Sequence, residues 1–289
     1  MDILELKCKS IHYRKTILRI IKQANAGHTG GSLSCIDILN VLYNHVMNIT
    51  PENFNDLNRD HYIQSKGHSV EALYTVLAGR GFFPTSELDT LGRFGSHFVG
   101  HPTRKVNGIE HNTGALGHGL SMAVGLALAG KLDGRSYRVF TLLGDGELTE
   151  GSNWEALMAA AHYRLDNLVV IVDRNTLQIT GRTEDVLALE PLQAKFEAFG
   201  CAVRVADGND VADLVQVFAQ LPFASGKPSL VLARTIKGKG ISFIEDVAGW
   251  HHHVPSDEEF AAAMRELDEA ESQLKGACDA RDHPTIKIG

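Results

Sequence analysis

Residues 142–181 read LLGDGELTEGSNWEALMAAAHYRLDNLVVIVDRNTLQITG, and the fold is decided here. The apolar run at 137–143 predicts a strand that ends at Gly144-Asp145-Gly146, with a helix following from about Thr149. A second apolar run, 168–172, predicts another buried strand and ends at Asp173-Arg174-Asn175. In an open parallel sheet, ligands bind outside the carboxyl ends of the strands. Asp145 and Asn175 are therefore expected on neighbouring strand tips, facing one ligand.

The chemistry that suits such a pair is a hard divalent cation clamped onto a diphosphate. Mg²⁺ takes oxygen ligands, and Ca²⁺ or Mn²⁺ can substitute. Asp145 could supply a carboxylate, Asn175 an amide oxygen and Leu177 a backbone carbonyl. Gly144 and Gly146 lack the Cβ atoms that would hold a phosphate away from the backbone. The helix start beyond them is expected to offer free N–H groups and a partial positive charge. By itself GDG is also what a plain strand–turn–helix connection would use. Asn175, placed beyond a second apolar strand, is the feature that argues for a ligand.

GDG, a glutamate-bearing helix and an asparagine about thirty residues on resemble the thiamine diphosphate motif. The wider text, GDGELTEGSNWEA followed by LDNLVVIVDRN, is similar to the transketolase family. Further segments carry the resemblance in family order. Gly27-His28-Thr29-Gly30-Gly31 resembles the family's glycine–histidine corner. Ser65-Lys66-Gly67-His68-Ser69 resembles a stretch whose histidine faces the cofactor, and Gly100-His101-Pro102 matches GHP. Thr113-Gly114-Ala115-Leu116-Gly117-His118-Gly119 resembles the family's TGxLGxG, whose glycine backbone and leucine touch thiamine. Glu150 stands where the family has a glutamate near the cofactor at the subunit interface. Finally, TIKGKGISFIED with Trp250-His251-His252-His253 resembles the family's WHG stretch, with His252 where glycine is common and His253 where many relatives have lysine.

The resemblance implies a catalytic set of His28, His68, His101 and His251. It implies cofactor contacts from His68, Gly114, Leu116, Gly144, Asp145, Gly146, Glu150, Asn175 and His251, and a metal held by Asp145, Asn175 and Leu177. The implied cofactors are thiamine diphosphate and Mg²⁺. The implied reaction moves a two-carbon ketol unit from a ketose phosphate to an aldose acceptor. Which of the three consecutive histidines faces the ligand stays open. So does the sugar, a pentose phosphate or a branched ketose phosphate. Three consecutive histidines cannot all face one metal from a regular element, and no partner residues for a zinc site are evident in the sequence.

Composition bounds the reading from outside. The 289 residues suffice for one good core, and a net charge of −7 with no basic run argues against a nucleic-acid groove. Cys8, Cys35, Cys201 and Cys278 are scattered without zinc spacing, which fits reduced thiols in the cytoplasm. The start, MDILELKCKS, is charged from its second residue and has no signal-peptide core. The small-apolar run at 120–130 is too short to span a bilayer, so no membrane partner is expected.

Elsewhere, helical spacing predicts helices at 3–24, 34–46, 70–78, 120–132, 191–199 and 210–221. Strands are expected at 58–64, 201–205 and 229–235, with a polar loop at 181–189 and a long shaped loop at 92–108. Ser256-Asp257-Glu258-Glu259 is a capping box for a closing helix to about residue 274. Strands alternating with helices predict an α/β fold, a doubly wound parallel sheet flanked by helices. Residues 1–275 are expected to form the diphosphate- and metal-binding domain, and 276–289 a loosely tied tail.

A transketolase polypeptide is usually more than twice this long. Its second domain supplies the glutamate and aromatic cradle for the cofactor's pyrimidine, and arginines for the substrate phosphate. The expectation is therefore the N-terminal subunit of a split transketolase, paired with a separately encoded C-terminal subunit in an α2β2 assembly. Alternatives are a subunit of a deoxyxylulose phosphate synthase-like enzyme or of a 2-oxo acid dehydrogenase, and a non-catalytic cofactor-binding relic. A dinucleotide-binding Rossmann protein is disfavoured, since GxGxxG followed by a ribose-binding acid is absent from the sequence.

Overall fold

A computed structural model of the chain describes residues 1–282, and the side chains of residues 1–274. In chain order the strands are β1 (His61–Gln64), β2 (Val139–Gly144) and β3 (Leu168–Arg174), a small hairpin of β4 (Leu177–Gln178) and β5 (Gly181–Arg182), then β6 (Ala202–Asp207) and β7 (Ser229–Arg234). Five of them form one parallel sheet in the order β1-β2-β3-β7-β6. The helices are α1 (Ile3–Ala24), α2 (Thr29–Val41), α3 (Val70–Gly79), α4 (Gly119–Leu132), α5 (Gly151–His162), α6 (Thr183–Val186), α7 (Leu192–Ala198), α8 (Val211–Phe218) and α9 (Asp257–Asp282).

Alternation along the strands separates two cores. Phe140, Leu142, Val169, Ile171, Val231 and Ala233 join a cluster with α1, α2, α3 and α8. Val139, Leu143, Val170, Val172, Leu230 and Leu232 join another with α4, α5 and α7. Both faces of β2 and β3 are thus covered, which is why their sequences read as unbroken apolar runs. Each fully buried aliphatic side chain contributes about 1.5–3 kcal/mol relative to exposure. The sheet is accordingly a stiff platform for whatever stands on its tips.

Three expectations need correction. The second helix begins at Thr29 rather than Ser34, with His28 as its N-cap residue and a π-helical turn (Leu42–Val46) at its end. Gly30 and Gly31 therefore lie inside its first turn. A Cβ on Gly30 would come within 3.0 Å of Lys237 Cγ and 3.1 Å of the Trp250 carbonyl. Close approach, and not chain reversal, is what these glycines supply. The polar loop at 181–189 contains β5 and the short α6. The closing helix does not stop at 274; its backbone stays helical to Asp282, into the expected tail, and residues 283–289 lie outside the described part. None of the described helices is long and apolar enough to cross a membrane.

Candidate active site

At the carboxyl edge of the sheet lies a cavity of about 420 Å³. All twelve residues singled out from the sequence line it: His28, His68, His101, Gly114, Leu116, Gly144, Asp145, Gly146, Glu150, Asn175, Leu177 and His251. They come from seven separate segments of the chain. His252 lines it as well, whereas the His253 ring turns away to Glu259 Oε2 at 2.9 Å.

One end is built from strand tips. β2 and β3 are adjacent, with Gly144 opposite Asp173, so Asp145 and Asn175 emerge side by side. Asp145 is buried. Its Oδ1 accepts the Gly146 N–H at 2.8 Å, and its Oδ2 accepts the Thr176 N–H at 2.6 Å and Arg174 Nη1 at 3.1 Å. Burial and then the nearby Asp173 raise its pKa, against the pull of Arg174. Asn175 Oδ1 accepts the Leu177 N–H at 3.1 Å, and the Leu177 carbonyl accepts Lys237 Nζ at 3.3 Å.

The backbone amides near Gly144 do not behave as the sequence suggests. A short 3₁₀ turn (Gly146–Thr149) intervenes before α5, which starts only at Gly151. Glu147 folds back beneath it and accepts the N–H groups of Gly144 (3.0 Å) and Gly117 (2.8 Å) and the Ser65 hydroxyl. The Gly144 and Gly146 amides are thus spent on carboxylates of the loop itself. What Gly144 does leave is room. A Cβ there would meet nothing nearer than Lys66 Cβ at 3.8 Å, so packing alone does not demand glycine.

The other end is a cluster of imidazoles. The His28 ring centroid lies 5.4 Å from that of His68, 6.0 Å from His101, 5.5 Å from His251 and 4.2 Å from His252. Burial, then the facing His252, lowers the His28 pKa to about 3. Burial, then Lys237, lowers that of His251 to about 3. His68 is lowered by burial and Lys66. These rings are neutral near pH 7. His101 stands at the exposed rim, where Tyr74 Oη donates to the carbonyls of Val99 and His101, both at 3.2 Å. Gly114 makes space for it: φ is +135°, and a Cβ would lie 2.7 Å from His101 Cδ2.

Four groups that sequence reasoning passes over hold the two ends together. Lys66, fully buried, is ion-paired with Asp173 and donates to the Gly31 carbonyl at 3.1 Å. Asp173 also accepts the hydroxyls of Ser34 (2.6 Å) and Thr235. Burial alone would raise the Asp173 pKa, but Lys66 brings it below the usual carboxylate value. Lys237 reaches His251 Nδ1 at 2.8 Å, and burial beside Lys66 lowers its pKa to about 8. Glu147 is the fourth.

The donor set fits a metal–diphosphate group. A carboxylate, an amide oxygen and a carbonyl line the cavity together with two lysines, and the carboxylate of Asp145 is flanked by the glycine backbone of Gly144 and Gly146. A cavity of this kind defines an α/β domain that receives a polyanion at the carboxyl tips of a parallel sheet.

Comparison with known proteins makes the class specific. Residues 9–272 match the family described as "Transketolase, thiamine diphosphate binding domain". A subunit of the apulose-4-phosphate transketolase of Phocaeicola vulgatus is 46% identical over 95% of this chain and 98% of its own. The subunit of the same name from Actinobacillus succinogenes is 47% identical over 92% and 96%. Among solved structures, the transketolase from Campylobacter jejuni superposes with a TM-score of 0.81 at 29% identity, covering 96% of this chain and 48% of that one. The chain belongs to the transketolase family.

Proposed function

We propose that this chain is the diphosphate-binding subunit of a two-chain transketolase. It would transfer a two-carbon ketol unit from a ketose phosphate to an aldose acceptor. The observation that carries the reading is the convergence of twelve residues from seven segments on one cavity. The relatives named as transketolase subunits are aligned over nearly their whole length, whereas the chain spans about half of each solved transketolase. This supports a separate partner chain, and we take the assembly to be α2β2 in the cytoplasm.

When bound, thiamine diphosphate supplies the nucleophilic carbon that carries the two-carbon unit. Asp145, Asn175 and the Leu177 carbonyl would hold Mg²⁺ and, through it, the diphosphate. Lys66 and Lys237 would offset the remaining negative charge, and Leu116, Gly114 and Glu150 would line the thiamine side. His28, His68, His101 and His251 would hydrogen-bond substrate hydroxyls and move protons. Because burial keeps His28 and His251 neutral, they enter the reaction as proton acceptors and not as stored acids. The names of the two apulose-4-phosphate relatives support a branched ketose phosphate as substrate.

The test is co-expression with a separate chain that matches the other half of the solved transketolases, followed by a ketol-transfer assay. Apulose 4-phosphate and xylulose 5-phosphate serve as alternative donors. Transfer is expected only with both chains, thiamine diphosphate and Mg²⁺ present. Transfer by this chain alone, or a complex that takes up no thiamine diphosphate, would overturn the proposal.

A further inference from the structure

The histidine end can do more than hold a sugar. His28, His251 and His252 each place one ring nitrogen within 4.8 Å of those of the other two. We propose that these three imidazoles form a second metal site, for a borderline divalent transition ion such as Zn²⁺, separate from the oxygen donors of Asp145, Asn175 and Leu177. Three histidines with one open position make a standard ligand set for zinc, and the open position here would face the cavity. Ligand type separates the two sites: nitrogen donors favour Zn²⁺ or Co²⁺, whereas carboxylate and carbonyl oxygens suit Mg²⁺.

The local structure supports this. His28 Nδ1 is buried and has no hydrogen-bond partner among the described residues. His28 is the N-cap residue of α2, yet its side chain makes no capping bond, so the ring is not committed to the helix. Lys237 Nζ, 2.8 Å from His251 Nδ1, fixes the orientation of that ring. Tetrahedral zinc with bonds of about 2.0–2.1 Å places ligand nitrogens about 3.4 Å apart, so the rings must close by roughly an ångström. The exposed His252 can do so by turning its side chain.

The sequence hides the site because three consecutive histidines cannot all face one ion from a regular element. Here only two of the three take part. The third ligand stands near the start of the chain, brought in where Thr29 Oγ1 donates to the His253 carbonyl at 2.7 Å. If the proposed transketolase function holds, an ion here would occupy the place of the substrate hydroxyls, making the site inhibitory.

The binding test needs neither substrate, thiamine diphosphate nor partner, so it stands or falls apart from the proposed function. The full chain, stripped with chelator, is titrated with Co²⁺ and followed by visible absorption. The expected result is one equivalent bound with the intense bands of tetrahedral nitrogen ligation. Zn²⁺ should displace it, and a large excess of Mg²⁺ should not. His252→Gly should weaken binding at least tenfold. His253→Ala should not, since that ring faces Glu259. The chain has 14 histidines, so this control matters. Absence of the tetrahedral bands, displacement by Mg²⁺, or equal weakening by both variants would overturn the proposal. Circular dichroism of each variant confirms that it is folded.

Discussion

The two ends of the cavity are built from opposite materials. The strand-tip end presents oxygen on short side chains and backbone whose positions are fixed by β2 and β3. The histidine end presents nitrogen on rings from the start of α2, from the turns at His68 and His251 and from a long loop. The first end is a rigid set of oxygen donors, while the second is a set of imidazoles of which His28, His68 and His251 are neutral near pH 7. Asp145→Ala tests this contrast most sharply and should have the largest effect. It removes the one carboxylate of the proposed metal set and leaves Arg174 without that partner. Mg²⁺-dependent retention of thiamine diphosphate by the assembled complex should be abolished in calorimetry. Full retention would place the metal elsewhere.

Next in size is the link between the ends. Lys66 and Asp173 are both buried, and breaking such a pair leaves an uncompensated charge, at about 3–5 kcal/mol. Lys66→Met should therefore lower the unfolding free energy in urea by about that amount. Adding Asp173→Asn should restore much of it. A single variant as stable as the parent would mean that Lys66 serves the ligand and not the fold.

Why some of this is legible in the sequence follows from where the partners lie. GDG and Asn175 sit at the ends of apolar runs, so period and punctuation alone place them on adjacent tips. The histidines are visible only through glycine-rich contexts that resemble a family. Lys66 lies inside one of those contexts, but an isolated lysine reads as surface, and Asp173 is 107 positions away. Lys237 and Glu147 are hidden likewise, since nothing local marks a charged residue as buried. The start of α2 differs from the expectation because two glycines read as a helix stop. Their true reason, the approach of residues 237 and 250 to Gly30 and of His68 to Gly31, is not local either. The free amides expected near Gly144 fail on two side chains: Glu147 turns back to accept the Gly144 N–H, and Asp145 accepts that of Gly146.

A third prediction concerns the support of the histidine end. Glu71, on α3, accepts the Ser32 hydroxyl at 2.8 Å and the His28 N–H at 3.3 Å, and burial raises its pKa from 4.5 to about 7. The folded chain therefore binds a proton between about pH 4.5 and 7 that the unfolded chain has released. Stability from this group is present at low pH and is lost as pH rises through that window, amounting to roughly 3 kcal/mol. Glu71→Gln should remove that loss, so urea unfolding of the variant should vary less between pH 5 and 8, by an amount on this order. An unchanged pH profile would show that Glu71 stays ionised in the fold.

The smallest effect is expected at the rim. His101 is exposed, its backbone is held by Tyr74, and its ring rests over Gly114. Removing that ring leaves the strand tips and their oxygen donors untouched. His101→Ala in the two-chain enzyme should leave the Kd for thiamine diphosphate within about twofold, while kcat falls by about 100-fold, the scale on which a positioned acid–base group acts. Loss in both would mean that the two ends are coupled through Gly114. A variant with parental turnover would remove His101 from the site and leave proton handling to the three more buried rings.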